Sequence, residues 1–132
     1  MELKNSPIIF VVEDNLFYQH LIAKELESIG GDIFFYTNGE SCLMDLHRNP
    51  SVIVMDYNLD GEMNGLDTLL QVRLINSEAY VILFSSQKGL NTKEILVKYG
   101  SFDFLEKNNL SFRILKQMVI CATDESGHPL HN

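Results

Sequence analysis

The sequence predicts an α/β fold, an open doubly wound sheet of five parallel strands flanked by five helices, and two observations carry that prediction. Five short apolar runs show no polar alternation, as expected of strands covered on both faces. Between them lie segments whose apolar residues recur every three or four positions, the spacing of a helix with one buried face. Strand and helix thus alternate five times, and right-handed crossovers leave few topologies. With 132 residues the chain has the length for one domain around one core.

The first strand is expected at Ile8-Ile9-Phe10-Val11-Val12, followed by a helix carrying Phe17, Leu21, Ile22, Leu26 and Ile29 and stopped by Gly30-Gly31. Ile33-Phe34-Phe35-Tyr36 is the second strand. Asn38 then stands where it would cap a short helix with Leu43 and Leu46, closed by Asn49-Pro50. Val52-Ile53-Val54-Met55 precedes a third helix marked by Leu66, Leu69, Leu70 and Leu74. Val81-Ile82-Leu83-Phe84 precedes a fourth, with Ile95, Leu96 and Tyr99 before Gly100. Phe102-Asp103-Phe104-Leu105 is the fifth strand, and Ile114, Leu115, Met118 and Val119 mark the last helix. The second and fifth runs are the weakest, as edge strands would be. Residues 1–122 read as the domain, and residues 123–132, polar and containing Gly127 and Pro129, as a tail or the start of a linker.

Ten Lys and Arg against 18 Asp and Glu give a net charge of -8. Such a domain repels nucleic acid and anionic lipid over a Debye length of about 8 Å, so direct nucleic-acid binding is not expected. No apolar stretch of about 18 residues offers a membrane span. The N-terminus lacks the basic-then-apolar order of a secretion signal. Cys42 and Cys121 form no spaced cluster with the four histidines, which argues against structural zinc and for reduced thiols in a cytoplasmic protein. His20 and His47 read as surface residues and the two cysteines as packing. Phe112 and Ile120 fall off the main stripe of the last helix, where they could serve a partner or dimer patch.

The informative residues stand where strands end: Glu13-Asp14 after the first, Asp56 after the third, Ser85-Ser86 after the fourth and Lys107 after the fifth. Open α/β sheets bind ligands outside the carboxyl ends of their strands, where the winding reverses, and the order 2-1-3-4-5 makes strands one and three neighbours. One acid after a strand is commonly a solvated loop residue or a helix cap, and Asp14 alone would pass for a cap. Their agreement in one register argues for a site. Two carboxylates about 4 Å apart repel by roughly 4 kcal/mol at an effective dielectric near 20. Three crowded together would protonate, spread or recruit a cation, and hard oxygens in an open crevice suit Mg²⁺. A carboxylate can also attack phosphorus, with Lys107 and Ser85 placed to stabilise the transferring group.

The order Val12-Glu13-Asp14-Asn15, Val54-Met55-Asp56, Phe84-Ser85-Ser86 and Asp103-Phe104-Leu105-Glu106-Lys107 resembles the receiver domain of bacterial response regulators, from about Pro7 to Ile120. Asn38-Gly39-Glu40 and Gly65 match it as well. The resemblance implies a flavodoxin-like sheet and a phosphorylation-activated switch rather than a metabolic enzyme. Asp56 would accept a phosphoryl group from a sensor histidine kinase or a histidine phosphotransfer protein. Glu13, Asp14, Asp56 and the backbone carbonyl of Asn58 would hold Mg²⁺, and Lys107 would pair with the phosphoryl group. Ser85 and Phe104 would form the switch, and Asn58 and Gln87 would tune dephosphorylation. Phosphorylation would act on the surface of the fourth helix, fifth strand and last helix, a candidate homodimer face.

Two departures from the family pattern stand out. Asn108 follows Lys107 where the family has a cis proline, so a trans bond or a strained cis bond is expected. The loop Asp60-Gly61-Glu62-Met63-Asn64-Gly65 is a residue longer than usual and lacks proline. They motivate an alternative, a receiver-like interaction module that needs no phosphate. A flavodoxin-type electron carrier is disfavoured, because Glu13-Asp14 presents acids where a flavin phosphate needs donors.

Overall fold

In the computed structural model the described residues are 6–59, 61–86 and 102–124. Their strands are β1 (Ile8–Val12), β2 (Asp32–Tyr36), β3 (Val52–Met55), β4 (Val81–Ser85) and β5 (Asp103–Glu106). The α-helices among them are α1 (Leu16–Leu26), α2 (Gly39–Met44), α3 (Gly65–Ile75) and α4 (Ser111–Thr123). All strand pairs are parallel and the order is β2-β1-β3-β4-β5. The two weakest apolar runs are indeed the edges. The helix expected around Ile95, Leu96 and Tyr99 lies outside the described residues, so the last helix of the sequence is α4 here.

Successive strand side chains point to opposite faces, which divides the core in two. On one face Ile9, Val11, Val54 and Phe84 meet α1 and α4 through Ile22, Leu26, Leu115 and Val119. On the other, Phe10, Ile53, Met55 and Leu83 meet α2 and α3 through Cys42, Leu69 and Val72. Local chemistry sets the helix starts. Asn15 accepts from the Tyr18 amide and Asn38 from the Ser41 amide, while Asn64 and Asp67 form a reciprocal capping box on α3. The cap of α1 is therefore Asn15 and not Asp14. No described helix is long and apolar enough to cross a membrane.

Most of the expected stripe residues, Ile22, Leu26, Leu69, Leu115 and Val119 among them, are buried, and single positions depart. Phe17 is 66% exposed, because Tyr18, four residues before Ile22, takes the inward position. Leu74 is 72% exposed while Thr68, Leu69 and Val72 are buried. Ile114 is 48% exposed, and Phe112, expected off the stripe, packs edge-on against Phe84 with ring centroids 5.1 Å apart. Phe112 is thus part of the core rather than a partner patch. Helix one ends at Leu26, and Ile29 falls in a short 3₁₀ turn; Leu46 likewise follows α2 in such a turn, closed by Asn49 at φ 59°. Cys42 is buried as expected, whereas Cys121 is exposed.

Gly39, the first residue of α2, lies against Thr68 of α3, and a Cβ there would fall inside the Thr68 side chain. Gly39→Ala should push α2 off α3 and lower the stability measured by urea denaturation by about 1–3 kcal/mol, the usual cost of overpacking.

Candidate functional site

Sheet order brings the ends of β1 and β3 side by side, and their following residues converge. Glu13, Asp14 and Asp56 each place a carboxylate oxygen so that all three lie within 4.8 Å of one another. Glu13 and Asp56 are buried. Lys107, just past β5, reaches into the same crevice. Its Nζ lies 2.6 Å from Glu13 Oε1 and 3.3 Å from Asp56 Oδ2, and its side chain is only 3% exposed. Two of the three clustered carboxylates therefore lie against one ammonium, and the hard oxygen set fits a divalent cation such as Mg²⁺.

Backbone donors hold the acids in place. The amide of Asn15 donates to Glu13 Oε2 at 3.1 Å, and that of Asn58 donates to Asp56 Oδ1 at 3.3 Å. Gln19 Nε2 donates to the Glu13 carbonyl at 2.5 Å. Gly65 opens α3 against the turn after β3: its amide donates to the Tyr57 carbonyl at 2.8 Å, and a Cβ there would overlap the Asp56 carbonyl oxygen. Burial pushes the Glu13 carboxyl up to about 7; the hydrogen bond from Lys107 opposes the rise, and the Asp56 charge adds to it.

The other expected residues fall as follows. Ser85 is buried at the end of β4, and its carbonyl accepts from the Lys107 amide at 2.9 Å. Phe104 is half-buried on β5 in register with Leu83, packed on the α2–α3 side of the core. Asn58 is exposed beside Asp56. Gln87 lies outside the described residues, as does Asp60 of the long loop, in which Gly61 adopts φ 101°. Every described peptide bond is trans, Lys107–Asn108 included. His20 and His47 are exposed, away from the cluster.

One neighbour escaped the sequence reading. The Tyr18 ring centroid lies 4.0 Å from Lys107 Nζ. Its signal was the spacing Tyr18, Ile22, Leu26, which places it on the buried face of α1.

A doubly wound parallel sheet with an acid-and-lysine crevice at its carboxyl edge defines a class of signalling and ligand-binding α/β domains. Comparison places the chain within that class. It belongs to the response regulator receiver domain family, whose model matches residues 9–119, and so to phosphorylation-dependent two-component signalling. A protein-glutamate methylesterase/protein-glutamine glutaminase of Clostridium acetobutylicum is 33% identical over 117 residues, which cover 82% of this chain and 32% of that protein. The chain spans from 21% to 54% of the length of the curated relatives it matches. Among solved structures, the signal receiver domain of a LuxO repressor protein from Vibrio parahaemolyticus superposes with a TM-score of 0.79 at 24% identity, covering 92% of each chain. Response regulator TrrA of Thermotoga maritima, in complex with Mg²⁺ and BeF, gives 0.76 at 23% identity, covering 88% of this chain and 98% of that one.

Two predictions follow from the charge arrangement. Lys107→Met leaves two buried carboxylates without their cation and should cost about 3–5 kcal/mol in urea denaturation. Glu13 titrates natively near 7 but near 4.5 when unfolded, so the folded protein retains a proton that the unfolded chain has released. Stability of the metal-free protein should therefore fall as pH rises between those values, and Glu13→Gln should flatten the dependence of the urea midpoint.

Proposed function

We propose that Asp56 is the phosphoacceptor of this receiver domain, and that its phosphorylation switches binding to a partner. The observation that carries the reading is the buried Lys107 ammonium 3.3 Å from Asp56 Oδ2, flanked by Glu13 and Asp14. The donor is a phosphohistidine on a sensor histidine kinase or a histidine phosphotransfer protein. An Asp56 carboxylate oxygen attacks phosphorus, the P–N bond breaks, and the electron pair returns to the imidazole, which takes up a proton. The chain thus catalyses only its own phosphorylation and dephosphorylation.

Glu13, Asp14, Asp56 and the carbonyl of Asn58 are the residues that would hold Mg²⁺. The ion would neutralise charge on the transferring phosphoryl oxygens. Lys107 does the same from the β5 side, and the Ser85 hydroxyl supplies a hydrogen bond to a phosphoryl oxygen. Phosphorylation adds about 1.5 to 2 negative charges, enough to redirect Lys107 and Ser85. Phe104, packed beside Leu83, then follows Ser85 and carries the change to the surface of the sequence's fourth helix, β5 and α4, the proposed partner and homodimer face. Asn58 and Gln87 tune the return reaction. A cytoplasmic location accords with free thiols at Cys42 and Cys121. The TrrA complex with Mg²⁺ and BeF supports the reading by likeness of fold.

Incubation with acetyl phosphate and Mg²⁺ should add the mass of one phosphoryl group to the wild type, and nothing to Asp56→Asn or to wild type in excess chelator. A gain that persists in Asp56→Asn, or no gain in wild type, rejects Asp56 as acceptor. Equal partner affinity for wild type and Asp56→Asn, unchanged by beryllofluoride, would mark a phosphorylation-independent interaction module instead.

A further inference from the structure

Lys107 Nζ has a third kind of neighbour besides its two carboxylates. The Tyr18 ring lies 4.0 Å from it, centroid to nitrogen, and the Phe84 ring 5.8 Å. Both are within the roughly 6 Å at which a ring face attracts a cation, and the interaction strengthens where water is excluded. The ammonium thus sits in a cage with two acidic walls and two aromatic ones. Tyr18 is itself held: its ring stacks on Phe112 at 6.3 Å and 15°, and Phe112 abuts Phe84 edge-on. Since α1 supplies Tyr18, α4 supplies Phe112 and β4 supplies Phe84, three elements converge on one side chain.

We propose that Tyr18 is a positioning residue, a cation–π wall that confines the Lys107 ammonium to the arc between Glu13 and Asp56. A lysine stem is long and flexible, and Glu13 makes the shorter contact, 2.6 Å against 3.3 Å. Without the ring the ammonium could swing toward solvent on the α1 side. With it, the remaining freedom points at Asp56, where charge accumulates on phosphorylation. The wall is the ring face, so the Tyr18 hydroxyl is dispensable. Simple packing would make a different demand, because Tyr18 also occupies the buried stripe one turn before Ile22, and an aliphatic residue fills that space too.

This inference rests on Asp56 as acceptor for its kinetic consequence but not for its geometry, and two readouts separate them. The first is the NMR shift of the Lys107 ε-methylene protons, which the Tyr18 ring current should move further upfield in wild type and Tyr18→Phe than in Tyr18→Leu, where only the Phe84 ring remains. The second is the rate of phosphorylation by acetyl phosphate at saturating Mg²⁺. Tyr18→Phe should stay within about twofold of wild type, and Tyr18→Leu should fall about fivefold with Mg²⁺ affinity by calorimetry unchanged. Phe112→Leu, which leaves Tyr18 unbacked, should fall between them and serves if Tyr18→Leu does not fold. A wild-type rate in Tyr18→Leu, or an equal loss in Tyr18→Phe, overturns the proposal. If wild type takes up no phosphoryl group, the acceptor reading fails alone, and the ring-current shift decides the wall: its presence upholds it and its absence overturns it.

Discussion

Lys107 and Glu13 are 94 positions apart in the chain, yet their charged atoms stand 2.6 Å apart with almost no access to water. Most of what surrounds the crevice can be understood from that contact. A buried ion pair returns little net stability once both charges are desolvated, and breaking one leaves an uncompensated charge. Here Asp56 shares the same ammonium, and Asp14 crowds the two acids. The backbone amides of Asn15 and Asn58 offset part of the excess by donating to the acids. The rest appears as the raised Glu13 carboxyl, a group that burial holds reluctant to ionise.

The sheet order makes this crowding possible. With β1 between β2 and β3, the acids after β1 and β3 are adjacent, while β4 and β5 approach from the other side. Ser85 ends β4, and its carbonyl accepts the amide of Lys107, so the cation is tethered by backbone to the strand that carries the hydroxyl. Phe104 lies three residues before Lys107 and stands in register with Leu83 of β4. Lys107 thus joins the backbone of β5 to that of β4, at the end of the sheet opposite β2.

Much of the site could be read from sequence because it sits on strand ends, where position follows from chain direction alone. Glu13, Asp14 and Asp56 follow strong apolar runs, and Lys107 follows the weaker fifth one. Helix faces were harder. Phe17 and Tyr18 are adjacent aromatics of similar size, and a stripe drawn through either meets Leu21 or Ile22 at helical spacing. The same ambiguity put Ile114 inward and Phe112 outward, the reverse of what is found. Asp14 and Asn15 are both good capping residues, and the amide of Tyr18 chose Asn15.

The sequence by itself determined the strands, the two weak edge runs and the gathering of acids at one rim, because unbroken β-branched and aromatic runs fit strands covered on both faces and the acids follow their carboxyl ends. Tertiary structure alone decided that the ammonium leans toward Glu13, that Phe112 packs on the core and that the Tyr18 ring stands against that ammonium. The reason is rotational. One residue turns a helix by about 100°, and apolar spacing of three and four leaves that turn undecided until the helix meets the side chains of the sheet beneath it.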